Sequence, residues 1–130
     1  MEYILVDNEP KYYEFIRQMR IHPENISGFI NQNHITEDEQ IEYMKHYHQY
    51  FKICLFENSP VGFVGVIDDD IRVATNPDFK QKGAGKFMID EIMKLYPNAH
   101  AKVKIDNISS MNLFLSCGFK TEMITMKKCQ

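Results

Sequence analysis

Two spacings of apolar residues run along this chain, and the changes between them divide it into elements. Residues 3–7 (YILVD) form a short apolar run that predicts a strand. Asn8-Glu9-Pro10 follows as a cap and a proline, the signal for entry into a helix. Tyr12, Phe15, Ile16 and Met19 then recur at helical spacing until His22-Pro23 stops the pattern. Residues 23–35 hold Asn, Ser and Gly and read as a loop with about one turn. Thr36 with Glu39 makes a capping box, opening a helix to about His48 with Ile41, Met44, Tyr47 and His48 as its apolar stripe.

The period then shortens. Residues 51–56 (FKICLF) and 61–67 (VGFVGVI) read as strands joined by the turn Glu57-Asn58-Ser59-Pro60. Asp68-Asp69-Asp70 ends the second strand and residues 71–75 (IRVAT) start a third, which predicts an antiparallel meander. A helix over residues 82–96 presents Ala84, Met88, Ile92 and Leu95 on one face and stops at Pro97. Residues 101–105 (AKVKI) read as a strand, 109–117 as a short helix ending at Gly118, and 119–126 as a closing strand. The order β-α-α-β-β-β-α-β-α-β predicts an α+β fold, a mixed and mostly antiparallel sheet flanked by helices. Without repeats or linkers, residues 1–130 read as a single domain.

The 44% hydrophobic and 25% charged fractions are those of an ordinary globular protein, so the pattern above is that of a packed core. A net charge of −3 argues against a non-specific nucleic-acid binder. No apolar run approaches the roughly 20 residues needed to cross a bilayer, and MEYILVDNEP lacks the basic start and cleavage site of a signal peptide. Cys54, Cys117 and Cys129 form no CxxC pair, so reduced thiols and a cytoplasmic location are expected. His46 and His48 stand two apart on a helix and point in different directions, so no metal site is expected.

Gly83 and Gly85 stand where a helix must begin, although glycine costs about 1 kcal/mol against alanine within one. A strand ending in Asn76-Pro77, a glycine loop and a helix start together suit a phosphate. The first turn has free N–H groups and a positive dipole end, and Lys80, Lys82 and Lys86 add charge. A turn with a solvated lysine face explains the same residues. Two familiar phosphate loops do not fit. Met88 stands where a dinucleotide fingerprint needs its third glycine or alanine, and Phe87 follows Lys86 where a Walker A loop needs Ser or Thr.

Residues 73–85 resemble the first motif of the GNAT N-acetyltransferase superfamily: a strand, a proline turn, then Gln/Arg-x-x-Gly-x-Gly/Ala opening a helix. Lys80-Gln81-Lys82-Gly83-Ala84-Gly85 supplies it, with Lys80 in place of the usual first residue. Downstream, NISSMNLFLSCGF resembles the family's second motif, Asn-x-x-Ala-x-x-x-Tyr-x-x-x-Gly-Phe. Asn107, Gly118 and Phe119 match; Ser110 replaces Ala and Phe114 replaces Tyr.

The resemblance implies a GNAT-like fold and acetyl-CoA as cosubstrate. Its pantetheine arm would pair where residues 71–75 and 101–105 splay apart, with the Val73 N–H polarising the thioester carbonyl. Gln81, Lys82, Gly83, Ala84, Gly85 and Lys86 would hold the phosphates, and Asn107 would touch the cofactor, cap the next helix, or both. Relatives often use a carboxylate at the start of the strand that carries Val73 as general base, which by count is Asp69; a hairpin turn is the alternative explanation of Asp68-Asp69-Asp70. The family acid is Phe114 here, and phenylalanine donates no proton.

The acceptor would lie against residues 17–47, where Arg17, Arg20, His22, Asn25, Asn31, Gln32, Asn33 and His34 cluster around Phe29 and Ile30. Arg20-Ile21-His22-Pro23 resembles an Arg-x-His-Pro element of members acting on nucleotide-linked amino sugars. The resemblance therefore implies an N-acetyltransferase acting on a small-molecule amine, as monomer or homodimer. A non-catalytic CoA-binding module and a protein or peptide N-acetyltransferase are the alternatives.

Overall fold

The computed structural model describes residues 2–26 and 35–129. Strands β1 (Tyr3–Asp7), β2 (Phe51–Phe56), β3 (Ser59–Ile67) and β4 (Asp70–Thr75) lie side by side in that order, each antiparallel to the next. Both tight hairpins turn through two residues of positive φ. These are Glu57 (51°) with Asn58 (68°), and Asp68 (54°) with Asp69 (62°). Two successive left-handed residues match the twist of the flanking strands, and Asn and Asp adopt that conformation more readily than most.

Alternation along the strands separates two cores. On one face α1 (Tyr13–Ile21) and α3 (Glu37–Tyr47) bury Ile16, Met19 and Met44 against Phe51, Ile53, Phe63 and Ala74. On the other, α4 (Ala84–Leu95) and α5 (Ile108–Ser116) bury Met88, Ile89, Ile92 and Phe114 against Cys54, Val64, Val66 and Ile71. The short α2 (Pro23–Ile26) is the turn expected after His22. Thr36 caps α3 as its sequence predicts: its side chain accepts from the Glu39 N–H, and the Glu39 carboxylate accepts from the Thr36 N–H.

Some expectations fail in instructive ways. Ile41 is 51% exposed, and Gln40 takes the inward position, donating through Nε2 to the Tyr13 carbonyl (3.0 Å). Leu95 is 58% exposed, and Ile89 completes the buried face of α4. That helix starts at Ala84 rather than residue 82, because Gly83 (φ +88°) is its left-handed cap.

The two later strands do not form. Asp70 and His100 make one parallel bridge, with His100 N donating to Asp69 O (2.8 Å) and Ile71 N to His100 O (2.9 Å). Beyond it residues 101–105 carry no ladder, and neither do residues 119–126. Alternating side chains describe a face; a strand also needs a neighbouring edge for its backbone groups.

Candidate functional site

The divergence after His100 opens a cleft along β4, the edge of the sheet. Asn76 N donates to Val61 O, which fixes the phase of pairing with β3. By alternation Ala74, Arg72 and Asp70 exchange backbone bonds with β3, and Ile71, Val73 and Thr75 turn theirs outward. The Ile71 N–H is taken by His100 O, and Thr75 O accepts from Asn25 Nδ2 (3.2 Å). Val73, between them, faces the cleft, and its N–H and C=O have no partner among the described residues. The cleft has a volume of about 1030 Å³, and Lys102, Asn107 and Ser110 stand among its opposite lining.

One end is closed by the loop into α4. Gln81 (φ 64°) and Gly83 (φ 88°) are both left-handed. The first backbone donation inside the helix is Phe87 N to Gly83 O (3.0 Å), so the N–H groups of Ala84, Gly85 and Lys86 precede the helical ladder. A Cβ on Gly83 would meet nothing within 4 Å among the described residues. The two glycines differ: a Cβ on Gly85 would fall 2.9 Å from Leu113 Cδ2, so Gly85 lets α4 approach α5. Tyr3 Oη donates to Lys82 O (2.7 Å) and ties the loop to β1.

Of the residues expected to bind, Val73, Gln81, Gly83, Gly85, Lys86 and Asn107 line the cleft. Lys86 is also drawn towards Asp90 Oδ2 (3.3 Å). Lys82 is not in the lining; its ammonium lies 5.1 Å from the centre of the Phe79 ring. Ala84 is buried, leaving its backbone as the part turned to the loop. Asn107 Oδ1 caps α5 by accepting from Ser110 N (3.1 Å), and its Nδ2 has no protein partner among the described residues. Phe114 lines the cleft and packs edge-on against Phe119, with ring centres 5.1 Å apart.

Asp69 lies in the exposed hairpin turn and is absent from the lining, whereas Asp70 belongs to it. Asp70 Oδ2 accepts from Arg72 Nε at 3.2 Å. In the acceptor region, Arg17 is held by Glu14 and the Ile35 carbonyl, and His22 Nδ1 accepts from the Glu24 N–H. Asn31, Gln32, Asn33 and His34, with Phe29 and Ile30, lie outside the described residues. Arg20 and Asn25 reach the cleft, joined by two residues that no motif singles out, Tyr43 and Arg72. Period-2 alternation was the available signal for Arg72, since it shares a β4 face with Ala74 and so turns towards α1 and α3.

Burial lowers the Arg20 pKa and raises that of Tyr43, while the charges of Arg20 and Arg72 pull the phenol the other way. Among the described residues, no group of three His, Cys, Asp or Glu is placed to hold a metal ion. No helix there is long and apolar enough to cross a membrane.

The fold has many known counterparts. A domain from Methanocaldococcus jannaschii DSM 2661 superposes with a TM-score of 0.81 at 22% identity, over 93% of this chain and 90% of that one. Spermidine N-acetyltransferase from Vibrio cholerae, in complex with CoA and spermine, gives 0.81 at 19% identity over 93% and 82%. The Salmonella typhimurium protein yncA, with its cofactor acetyl-CoA, gives 0.75 at 14% identity over 92% and 80%. No curated protein matches the chain. The sequence itself matches the acetyltransferase (GNAT) family over residues 10–119, most of its length, and the chain therefore belongs to the GNAT family.

Proposed function

We propose that this chain transfers the acetyl group of acetyl-CoA to a primary amine of a small molecule, with a nucleotide-linked amino sugar as one candidate. The observation that carries the reading is the outward-facing backbone of Val73 on an edge strand, without a partner among the described residues, in the same cleft as the open glycine cap of α4. An amide-bearing chain laid along β4 would continue the sheet through Val73. The space above Gly83 and the N–H groups of residues 84–86 would take a pyrophosphate, with Gln81 and Lys86 beside it. Asn107 Nδ2, without a partner among the described residues, would donate from the opposite wall. Lys82 would act through its backbone and its charge.

Acetyl-CoA supplies an activated acyl group. The Val73 N–H would stabilise negative charge on the acyl oxygen, as an oxyanion donor does. Asp70 takes over the proton-accepting role expected of Asp69, because it is the member of the turn sequence that lines the cleft. Phe114 holds the wall and supplies no proton. A thiolate of ordinary pKa near 8.5 leaves near neutral pH with little help, so transfer does not require an acid at that position. Phe114 also favours a second reading, a CoA-binding module without turnover. Release of the CoA thiol from acetyl-CoA across a panel of amines tests both: amine-dependent release is expected, and binding without release on every amine would establish the second.

A further inference from the structure

We propose that the acceptor amine carries an oxyanion, a carboxylate or a phosphate, held by Arg20, Tyr43 and Arg72; this rests on the acetyltransferase reading above. The three residues come from α1, α3 and β4 and meet on one side of the sheet, at the cleft. Arg20 stacks on Tyr43, its guanidinium carbon 5.1 Å from the ring centre. It is half-buried, and among the described residues it has no carboxylate partner and no hydrogen bond. Arg17, one turn earlier, shows the contrast: Glu14, Glu37 and the Ile35 carbonyl surround it. A guanidinium removed from water without an anion is unfavourable, so an anion entering the cleft would restore what the fold omits.

Arg72 sharpens the argument. Its charge acts on Arg20, and both act on Tyr43, so two cations share one polar corner. Arg72 spends Nε on Asp70, and its two Nη groups have no partner among the described residues. The Tyr43 phenol is an O–H donor at neutral pH, and burial moves its pKa further up. Two guanidiniums and a phenol make a donor set suited to a planar or tetrahedral oxyanion. The carboxylates nearby are Asp70, paired with Arg72, and the exposed Glu24. A polycation such as the spermine in the Vibrio cholerae structure would meet like charge here.

Matched acceptors test this on the CoA-saturated protein by calorimetry, and in parallel by CoA release. Glucosamine 6-phosphate is set against glucosamine for phosphate, β-alanine against its amide for carboxylate, and spermidine serves as the polycation. One oxyanion-bearing member should bind about 10- to 100-fold more tightly than its neutral counterpart. Arg20→Gln should erase that preference, Arg20→Lys should restore part of it, and Tyr43→Phe should weaken it while keeping the ring. Acetyl-CoA affinity of each variant reports a folded protein. Equal binding within both pairs, tighter binding of spermidine, or a preference that survives Arg20→Gln would overturn the proposal. An oxyanion preference in a protein that acetylates nothing would uphold the site and defeat the acetyl-transfer reading instead.

Discussion

Asp69 ends the hairpin turn and Asp70 opens β4, and only the second lines the cleft, since successive residues entering a strand point to opposite sides. Counting along the family pattern reaches Asp69, one position before the aspartate that lines the cleft, and three consecutive aspartates offer no chemical clue to tell them apart. The consequence is measurable. Asp70→Asn should slow amine-dependent CoA release by roughly 10²-fold with little change in acetyl-CoA affinity, whereas Asp69→Asn should leave the rate and its pH profile near wild type. The reverse ranking would return the base to Asp69. Arg17 and Arg20 pose the same difficulty three residues apart. Composition makes them equivalent, and only the placement of Glu14 and Glu37 decides which guanidinium is left for a ligand.

Elements whose signal is local were legible. The capping box at Thr36, the strands of the meander and the stop at His22-Pro23 all depend on a few adjacent residues. Elements that need a distant partner were not. Residues 101–105 alternate like a strand, but their backbone leaves β4 after one bridge, and that departure makes the cleft. Close approach between elements was also hidden in the glycines. A Cβ on Gly62 would fall 2.7 Å from Met88 Cε and 2.8 Å from the Ala74 carbonyl oxygen. The methionine could swing away, but the carbonyl belongs to β4. Gly62→Ala should therefore destabilise the fold by about 1–3 kcal/mol, read as a lower urea midpoint at unchanged slope. An unaltered midpoint would mean that α4 and β4 pack less tightly than described.

For the molecule as a whole, two carboxylates held low contribute to a loss of stability in acid. Hydrogen bonds from Arg17 and Gln18 bring Glu14 from 4.5 down to about 2. A hydrogen bond and the charge of Lys52 lower Asp7 from its ordinary 3.8. A carboxylate whose folded pKa is depressed contributes stability above its unfolded value and loses it as pH falls through the folded one. Both groups are exposed and screened, so the contribution is modest and salt-sensitive. Thermal midpoints at low salt should decline from about pH 4.5 towards pH 2, and Glu14→Gln should flatten part of that decline. A midpoint equally steep in the variant would exclude Glu14 as a source.

The family pattern pointed to the glycine-loop end of the cleft, where phosphate binding is proposed, while the proposed acceptor end rests on Arg20, Tyr43 and Arg72, brought together from three elements with no shared motif. The central claim is that this cleft takes acetyl-CoA through the backbone at β4 and the α4 cap. Titration calorimetry of acetyl-CoA into wild type and Gly83→Val tests it most directly. At φ +88° with no neighbouring atom, valine meets backbone strain of about 1–2 kcal/mol and fills the space assigned to the pyrophosphate. Wild type should bind, and the variant, folded by circular dichroism, should lose at least about 10-fold in affinity. Unchanged affinity in the folded variant would contradict the account.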